Sequence, residues 1–456
     1  MNIEQTLSAM REFFDTNTTK DVRFRINALR KLHTAIKQYE QQILHALKTD
    51  LCKHEFEAYA TEIGFVLHEI SYAIKHIKRW TRPKKVKTPF MHFKSNSRIY
   101  SEPYGVVLII SPWNYPFNLT LTALVGAIAA GNCVCLKPSE HSAATSDIID
   151  KIIGESFSPN FIKVIKGGAD TSKQILEHRF DYIFFTGSTT VGKLVYASAA
   201  KNLTPVTLEL GGKSPCIVDE SAKIDLAAKR IIWGKLLNAG QTCVAPDHVY
   251  IRKSVKEQFL ASAQKYITRF LGEAPEKNPD FPKIINEKHF QRLCLLLTNG
   301  TTIVGGQINK DHRKIAPTIL TDITESSPIM KEEIFGPILP VLEYENLDEL
   351  ITLLKQKPKP LALYLFTTNT KTEQKVKTQL SFGGGAINDT MVHLATAHMP
   401  FGGVGQSGIG SYHGKSTFDT FSHHKGIMKK SNCFDINLRY PPYKTKRIKT
   451  VKRFMK

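Results

Sequence analysis

The sequence predicts an α/β protein built from two doubly wound domains and a small β-rich arm. Three observations lead there. From Gly105 onward, short apolar runs alternate with helical stretches, at 106–110, 133–136, 161–165, 182–185 and 206–210. A second series of the same kind follows at 216–218, 249–251, 338–342 and 361–366, with helical stretches such as 222–238 between its members. The segment 81–103, rich in Lys and Arg and interrupted by Pro83 and Pro89, belongs to neither series. Continuous apolar strands alternating with helices form parallel sheets covered on both faces, and such sheets bind ligands beyond the carboxyl ends of their strands.

Ahead of the first series the chain carries a helical period. Val22, Ile26, Leu29, Ile36, Ile43, Leu47 and Leu51 fall on one apolar stripe, then Tyr59, Ile63, Val66, Ile70, Ile77 and Trp80 on another, which predicts long helices packed on a core. No charged residue occurs from Pro103 to Leu136, yet Gly105, Pro112, Asn114, Pro116, Asn118, Gly126 and Gly131 divide that stretch into pieces shorter than the ~20 apolar residues of a spanning helix. A buried strand, a turn and a buried helix are expected instead. Arg98-Ile99-Tyr100 closes the basic segment with an extended stretch, so 81–103 reads as an arm or linker. Residues 400–424 are Gly-rich and aromatic and cannot be a plain helix.

At 456 residues, 42% hydrophobic and 23% charged, the chain can bury a sizeable core, which excludes wholesale disorder, a collagen-like structure and a polytopic membrane protein. Sixty-two Lys and Arg against 41 Asp and Glu leave a net charge of +21, attractive to anionic cofactors, acidic lipid or nucleic acid. Seven cysteines without paired metal-ligand spacing indicate a reducing, cytoplasmic address, with neither a disulfide framework nor a metal site. Residues 1–5 hold an acid and no apolar run, so no secretory signal is expected.

Candidate chemistry lies in three places. The run 182–188 turns through Gly187 and Ser188 into a helical stretch, 189–200, whose amino terminus could seat a pyrophosphate; Gly187 and Gly192 do not form the GxGxxG pattern, and an ordinary strand-to-helix turn also explains them. Asn238-Ala239-Gly240-Gln241-Thr242-Cys243 sets a cysteine in a Gly-containing turn, unlike Cys133 and Cys216 inside apolar strands. Cys243 is either a small buried apolar group or a nucleophile facing a cleft. Glu209 ends an apolar strand, where a carboxylate must be paired, protonated or functional: a salt bridge to Lys213 is one reading and a general base the other.

Taken together, Pro112-Trp113-Asn114-Tyr115-Pro116, Lys137-Pro138-Ser139-Glu140, Phe185-Thr186-Gly187-Ser188, Leu208-Glu209-Leu210-Gly211-Gly212-Lys213, Gly240-Gln241-Thr242-Cys243, Glu332-Glu333-Ile334-Phe335-Gly336-Pro337 and Pro400-Phe401-Gly402-Gly403 resemble the aldehyde dehydrogenase superfamily in order and spacing. The resemblance covers essentially the whole chain. Val244-Ala245-Pro246-Asp247, Ser411-Tyr412-His413-Gly414-Lys415 and the short amino terminus make it similar to the class 3 branch, typically dimers acting on medium- or long-chain and aromatic aldehydes.

That resemblance implies a Rossmann-like NAD-binding domain over 1–80 and 104–209, a catalytic domain over 210–395, an oligomerisation arm over 81–103 and 396–442, and a basic tail over 443–456. It implies that Cys243 is the nucleophile, that Asn114 and the Cys243 backbone N–H stabilise the oxyanion, and that Glu209 activates the water that hydrolyses a thioester. Lys137, Glu140, Gly187, Ser188, Gly192, Glu333 and Phe335 would bind NAD, with NADP also accepted, and Tyr115 and Phe401 would line the aldehyde tunnel.

The tail carries seven basic residues and no acid beyond Pro442, and Ile448, Val451, Phe454 and Met455 could share one helical face. It reads either as a hook for an anionic membrane surface at the inner face of the membrane or as a solvated or dimer-packed end. A rival function, a basic nucleic-acid- or membrane-binding protein on the same fold, is motivated by the net charge and by nine Lys and Arg between Lys75 and Arg98 without an acid. The full set of catalytic residue types favours the enzyme, with a small aldehyde and a second copy of the chain as its partners and no nucleic acid.

Overall fold

The computed structural model describes residues 3–454. Its amino-terminal helices follow the apolar stripes. Val22–Gln38, capped by the Asp21 side chain on the Arg23 N–H, packs on Gly64–Trp80 and Ala143–Ser156, and Glu40–Leu51 also packs on Ala143–Ser156. Tyr59 departs from its stripe and stands 42% exposed. The cause is a π-helical turn at Tyr59–Ile63, whose extra residue rotates the stripe around the axis.

The uncharged segment is a strand, a turn and a helix. Val106–Ile110 is wholly buried, and in Pro116–Ala130 every residue except Leu119 is buried, as expected of a helix apolar all round. Proline at its first turn and a left-handed Gly131 (φ 98) at its end bound it. Among the described residues no helix is long and apolar enough to cross a membrane.

Two mostly parallel sheets form the body. The six-stranded sheet runs Gly408–Ile409, Val206–Glu209, Tyr182–Thr186, Val106–Ile110, Cys133–Lys137, Ile162–Val164. The chain winds outward from its central strand, Val106–Ile110, then returns to build the other half. That reversal opens a crevice beyond the carboxyl ends of Val106–Ile110 and Tyr182–Thr186. The seven-stranded sheet runs Thr301–Val304, Thr318–Thr321, Ile338–Tyr344, His248–Arg252, Pro215–Val218, Ala362–Phe366, Gly384–Ile387, and only its first pair is antiparallel.

The arm is a three-stranded antiparallel sheet, Lys84–Val86, Ser95–Pro103 and Ser422–Lys430. Part of the segment assigned to it by sequence belongs elsewhere. Gly408–Ile409 pairs with Val206–Glu209 at the edge of the six-stranded sheet, and Lys415–Thr420 packs on Pro116–Ala130. Gly408 permits this, since its φ of 154° lets the backbone come so close that an added Cβ would stand 2.3 Å from the Leu208 carbonyl. Past the arm, the basic tail holds a short helix, Ile448–Phe454; Met455, counted on its apolar face by sequence, lies outside the described residues.

Candidate active site

Lys137 ends its strand at the crevice, buried, with its ammonium on the Pro138 carbonyl at 3.0 Å and near Glu140 at 3.5 Å. Burial lowers its pKa, and Glu140 opposes that. Opposite, the Ser188 hydroxyl caps Thr189–Ala200 by accepting the Val191 N–H. Gly192 lets this helix lie on Leu210, where a Cβ would come within 2.6 Å of Leu210 Cδ2; Gly187 lies as close to the Phe185 ring. The Thr186 hydroxyl is buried with no hydrogen-bond partner among the described residues. A buried cation, an unsatisfied hydroxyl and a helix amino terminus approached over glycine are the groups a dinucleotide would engage, so the crevice fits one.

The nucleophile loop is built by an unusual turn. Helix Ile224–Leu236 stops at Leu237, and Asn238, Ala239 and Gly240 take left-handed φ of 51°, 51° and 73°. A left-handed residue with a Cβ costs roughly 1–2 kcal/mol, so the surroundings must hold it. They do so with buried hydrogen bonds. The Asn238 N–H donates to Glu57 at 2.8 Å, and its amide donates to the carbonyls of Asn114 at 2.8 Å and Gln241 at 3.1 Å. The Gln241 amide donates to the Asn238 and Lys283 carbonyls and accepts the Ile285 N–H. An added Cβ at Gly240 would stand 2.3 Å from the Gly336 carbonyl oxygen.

This turn presents Cys243 half-buried. Burial, then the charges of Glu333 and Glu209, push its thiol up to about 12. Its resting form is therefore the neutral thiol. Glu209 is the last residue of its strand, 2% exposed, and neither carboxylate oxygen has a hydrogen-bond partner among the described residues. Burial alone raises its pKa well above the carboxylate range. The salt bridge to Lys213 does not form. Lys213 binds Asp247 and the carbonyls of Ile329 and Glu332, because the chain crosses to the seven-stranded sheet directly after Gly212.

Asp247 organises the opposite wall. Burial opposes its ionisation, but Lys213, His248 and Lys235 outweigh it and hold the carboxyl well below its ordinary value. Its other oxygen accepts the Ile334 N–H at 2.8 Å, which fixes the segment carrying Glu333. Burial and the Asp247 charge raise Glu333 to about 8, against a Gly212 N–H that favours the anion. Gly211 makes room for this carboxylate: a Cβ there would lie 2.0 Å from Oε2. Phe335 holds a left-handed φ of 52° and meets the Trp113 ring edge-on at 5.4 Å.

Asn114 is buried and its amide donates to the Gln241 carbonyl at 3.0 Å, which leaves a second N–H for an oxyanion. Tyr115, expected in the tunnel wall, is tied to the loop: its hydroxyl meets Thr242 at 2.9 Å and its ring lies under the Lys53 ammonium. Phe401 is buried, stacked on His413 at 5.3 Å and edge-on to Tyr412.

Cys243, Glu209 and Glu333 thus share one electrostatic environment, with Asn114 tied to the same loop, while Lys137, Glu140, Gly187, Ser188 and Gly192 surround the crevice. Sequence reasoning missed Lys53, Glu57, Glu62 and the roles of Asn238, Gln241 and Asp247. The only signal was three charged residues flanking a break between helical stripes, which reads equally as a solvated turn.

Residues 1–427 match the aldehyde dehydrogenase family. The chain is 50% identical over 456 residues to the 4,4'-diaponeurosporen-aldehyde dehydrogenase of Staphylococcus aureus, covering 100% of this chain and 99% of that protein. It is 44% identical to the rat protein named aldehyde dehydrogenase, dimeric NADP-preferring, covering 97% of this chain and 98% of that one. Among solved structures, the substrate-bound state of Staphylococcus aureus AldH superposes with a TM-score of 0.98, at 50% identity and complete coverage of both chains.

Proposed function

The chain belongs to the aldehyde dehydrogenase family, and from that premise we propose that it oxidises a medium- or long-chain aliphatic or aromatic aldehyde to the free acid through a Cys243 thioester. The observation that carries the reading is Glu209, a buried carboxyl with both oxygens unsatisfied in the same electrostatic environment as the thiol.

In this reading the Cys243 sulfur adds to the aldehyde carbonyl as a thiolate, its proton passing through an ionised carboxylate of the site to solvent, so that the carboxylate is free again for the second half-reaction. The oxyanion meets the free amide N–H of Asn114 and the backbone N–H of Cys243; one such donor is worth ~3 kcal/mol of barrier. Oxidised NAD or NADP, when bound, supplies the hydride acceptor. Lys137, the helix behind Ser188 and Glu333 would hold it. Water then adds to the thioester as Glu209 takes its proton, and the carboxylic acid leaves as the thiol re-forms. Once ionised, a carboxylate with a raised pKa is the stronger base toward that water.

The finer attributes extend this reading. A free reactive thiol suits a reducing, cytoplasmic setting. The arm would join two copies, and the basic tail would contact an anionic membrane surface from which an apolar aldehyde could be drawn.

The deciding assay separates the two half-reactions. Cys243→Ala should abolish all cofactor reduction. Glu209→Gln should still reduce one equivalent per site, while steady turnover falls by about 100-fold or more. Sustained turnover in either variant overturns the assignment.

A further inference from the structure

A buried charge cluster beneath the nucleophile loop takes no part in the steps above. Lys53 is 1% exposed and Glu62 0%. The ammonium has three N–H donors and three acceptors around it: Glu62 Oε1 at 2.5 Å, the Asn114 carbonyl at 3.0 Å, and the face of Tyr115 with its centroid at 3.9 Å. The other Glu62 oxygen accepts the N–H groups of Phe117 at 3.1 Å and Asn118 at 2.9 Å, in the first turn of Pro116–Ala130. Glu57 takes the Asn238 N–H, and the Asn114 carbonyl held by Lys53 also accepts the Asn238 amide. The Asn114 carbonyl that Lys53 holds therefore ties the loop bearing Asn114 to the left-handed turn that precedes Cys243.

We propose that Lys53 and Glu62 are positioning residues for the acylation step, clamping the Asn114 amide and the Cys243 loop in register. The inference rests on the reading of Cys243 and Asn114 given above. Its physical argument is that a buried ion pair adds little net stability over apolar residues of the same shape. What it adds is direction. The ammonium fixes the plane of the Asn114 carbonyl, from whose residue the oxyanion donor projects, and Glu62 fixes the helix that begins two residues later. Glu62 itself lies in the π-helical turn Tyr59–Ile63, a distortion frequent at functional sites.

Lys53→Met alone would strand the Glu62 carboxylate, so the deciding variant is Lys53→Met with Glu62→Gln, which removes both charges. Single-turnover reduction of saturating NAD+, with enzyme in excess over the aldehyde and above its KM, reads acylation and hydride transfer whichever step limits steady turnover. The rate should fall about 10- to 100-fold, the size of effect that misplacing a reacting group produces. NAD+ affinity and the thermal midpoint should stay at wild-type values, which places the loss in kcat rather than KM. Glu62→Gln, which keeps the lysine, should lose less and serves if the double variant does not fold. A wild-type single-turnover rate in the folded double variant, or in Glu62→Gln if only that folds, overturns the proposal. A loss explained entirely by weakened NAD+ binding or a lowered midpoint does the same. Stoichiometric reduction by Cys243→Ala would instead sink the reading on which it rests.

Discussion

At the scale of single residues the site is held in an acidic, desolvated state. Burial, and then the charges of two carboxyls, raise the Cys243 thiol, and both carboxyls have raised pKa values themselves, Glu209 through burial and Glu333 through burial and the Asp247 charge. A thiol at about 12 is protonated across the neutral range, so its alkylation must follow the thiolate fraction upward with pH. Without bound cofactor, iodoacetamide labelling of Cys243 should climb about tenfold per pH unit through at least about pH 10. Glu333→Gln, which removes a raising charge, should shift that profile to lower pH. A plateau near the ordinary thiol value, unchanged by the substitution, would show that the two carboxyls do not reach the sulfur.

Elements come next, and here close approach sets the tolerances. Helix Thr189–Ala200 can lie on the end of the strand Val206–Glu209 only because Gly192 has no Cβ to meet Leu210. Gly192→Ala should lift the helix, move its amino terminus relative to Lys137, and weaken NAD+ binding. The strain of overpacking, about 1–3 kcal/mol, should appear as a lower thermal midpoint. Titration of NAD+ against protein fluorescence checks the first effect and calorimetry the second. An alanine variant with unchanged affinity would mean that the helix terminus does not contact the cofactor.

For the whole molecule, charge and the arm decide the surface. The strand Ser422–Lys430 is exposed along nearly its full length, with Ile427 at 45% and Met428 at 46%. Apolar residues on a two-sided exposed strand are an invitation to a second copy. Sedimentation equilibrium should find a dimer, and Ile427→Lys with Met428→Lys should find a monomer; a wild-type monomer at micromolar concentration would refute the arm's role. The tail makes a separate expectation, since each basic residue near an anionic surface contributes about 1 kcal/mol. Removal of residues 443–456 should abolish co-sedimentation with phosphatidylserine vesicles while leaving soluble turnover intact. Equal sedimentation with and without the tail would assign the membrane contact elsewhere or to nothing.

The alternation of apolar runs and helical periods disclosed five strands of the six-stranded sheet and four of the seven-stranded one, because burial on two faces leaves a continuous signal in the chain itself; Thr301–Val304 and Gly384–Ile387, exposed or half-buried, and the short Thr318–Thr321 carry no such signal. Their settings singled out Cys243, in a Gly-containing turn, and Glu209, at an apolar strand end, while the family resemblance pointed to Asn114 and Glu333. Local sequence could not settle the partner of Lys213, the commitment of Tyr115 to Thr242, or the strand Gly408–Ile409 at the edge of the six-stranded sheet. Least legible was the Lys53–Glu62 pair, charged residues in a polar run that only the packing of Pro116–Ala130 and the nucleophile loop around them takes out of water. Periodicity reports which face of an element is buried; which charges meet across elements depends on long-range packing, and that the tertiary structure alone decides.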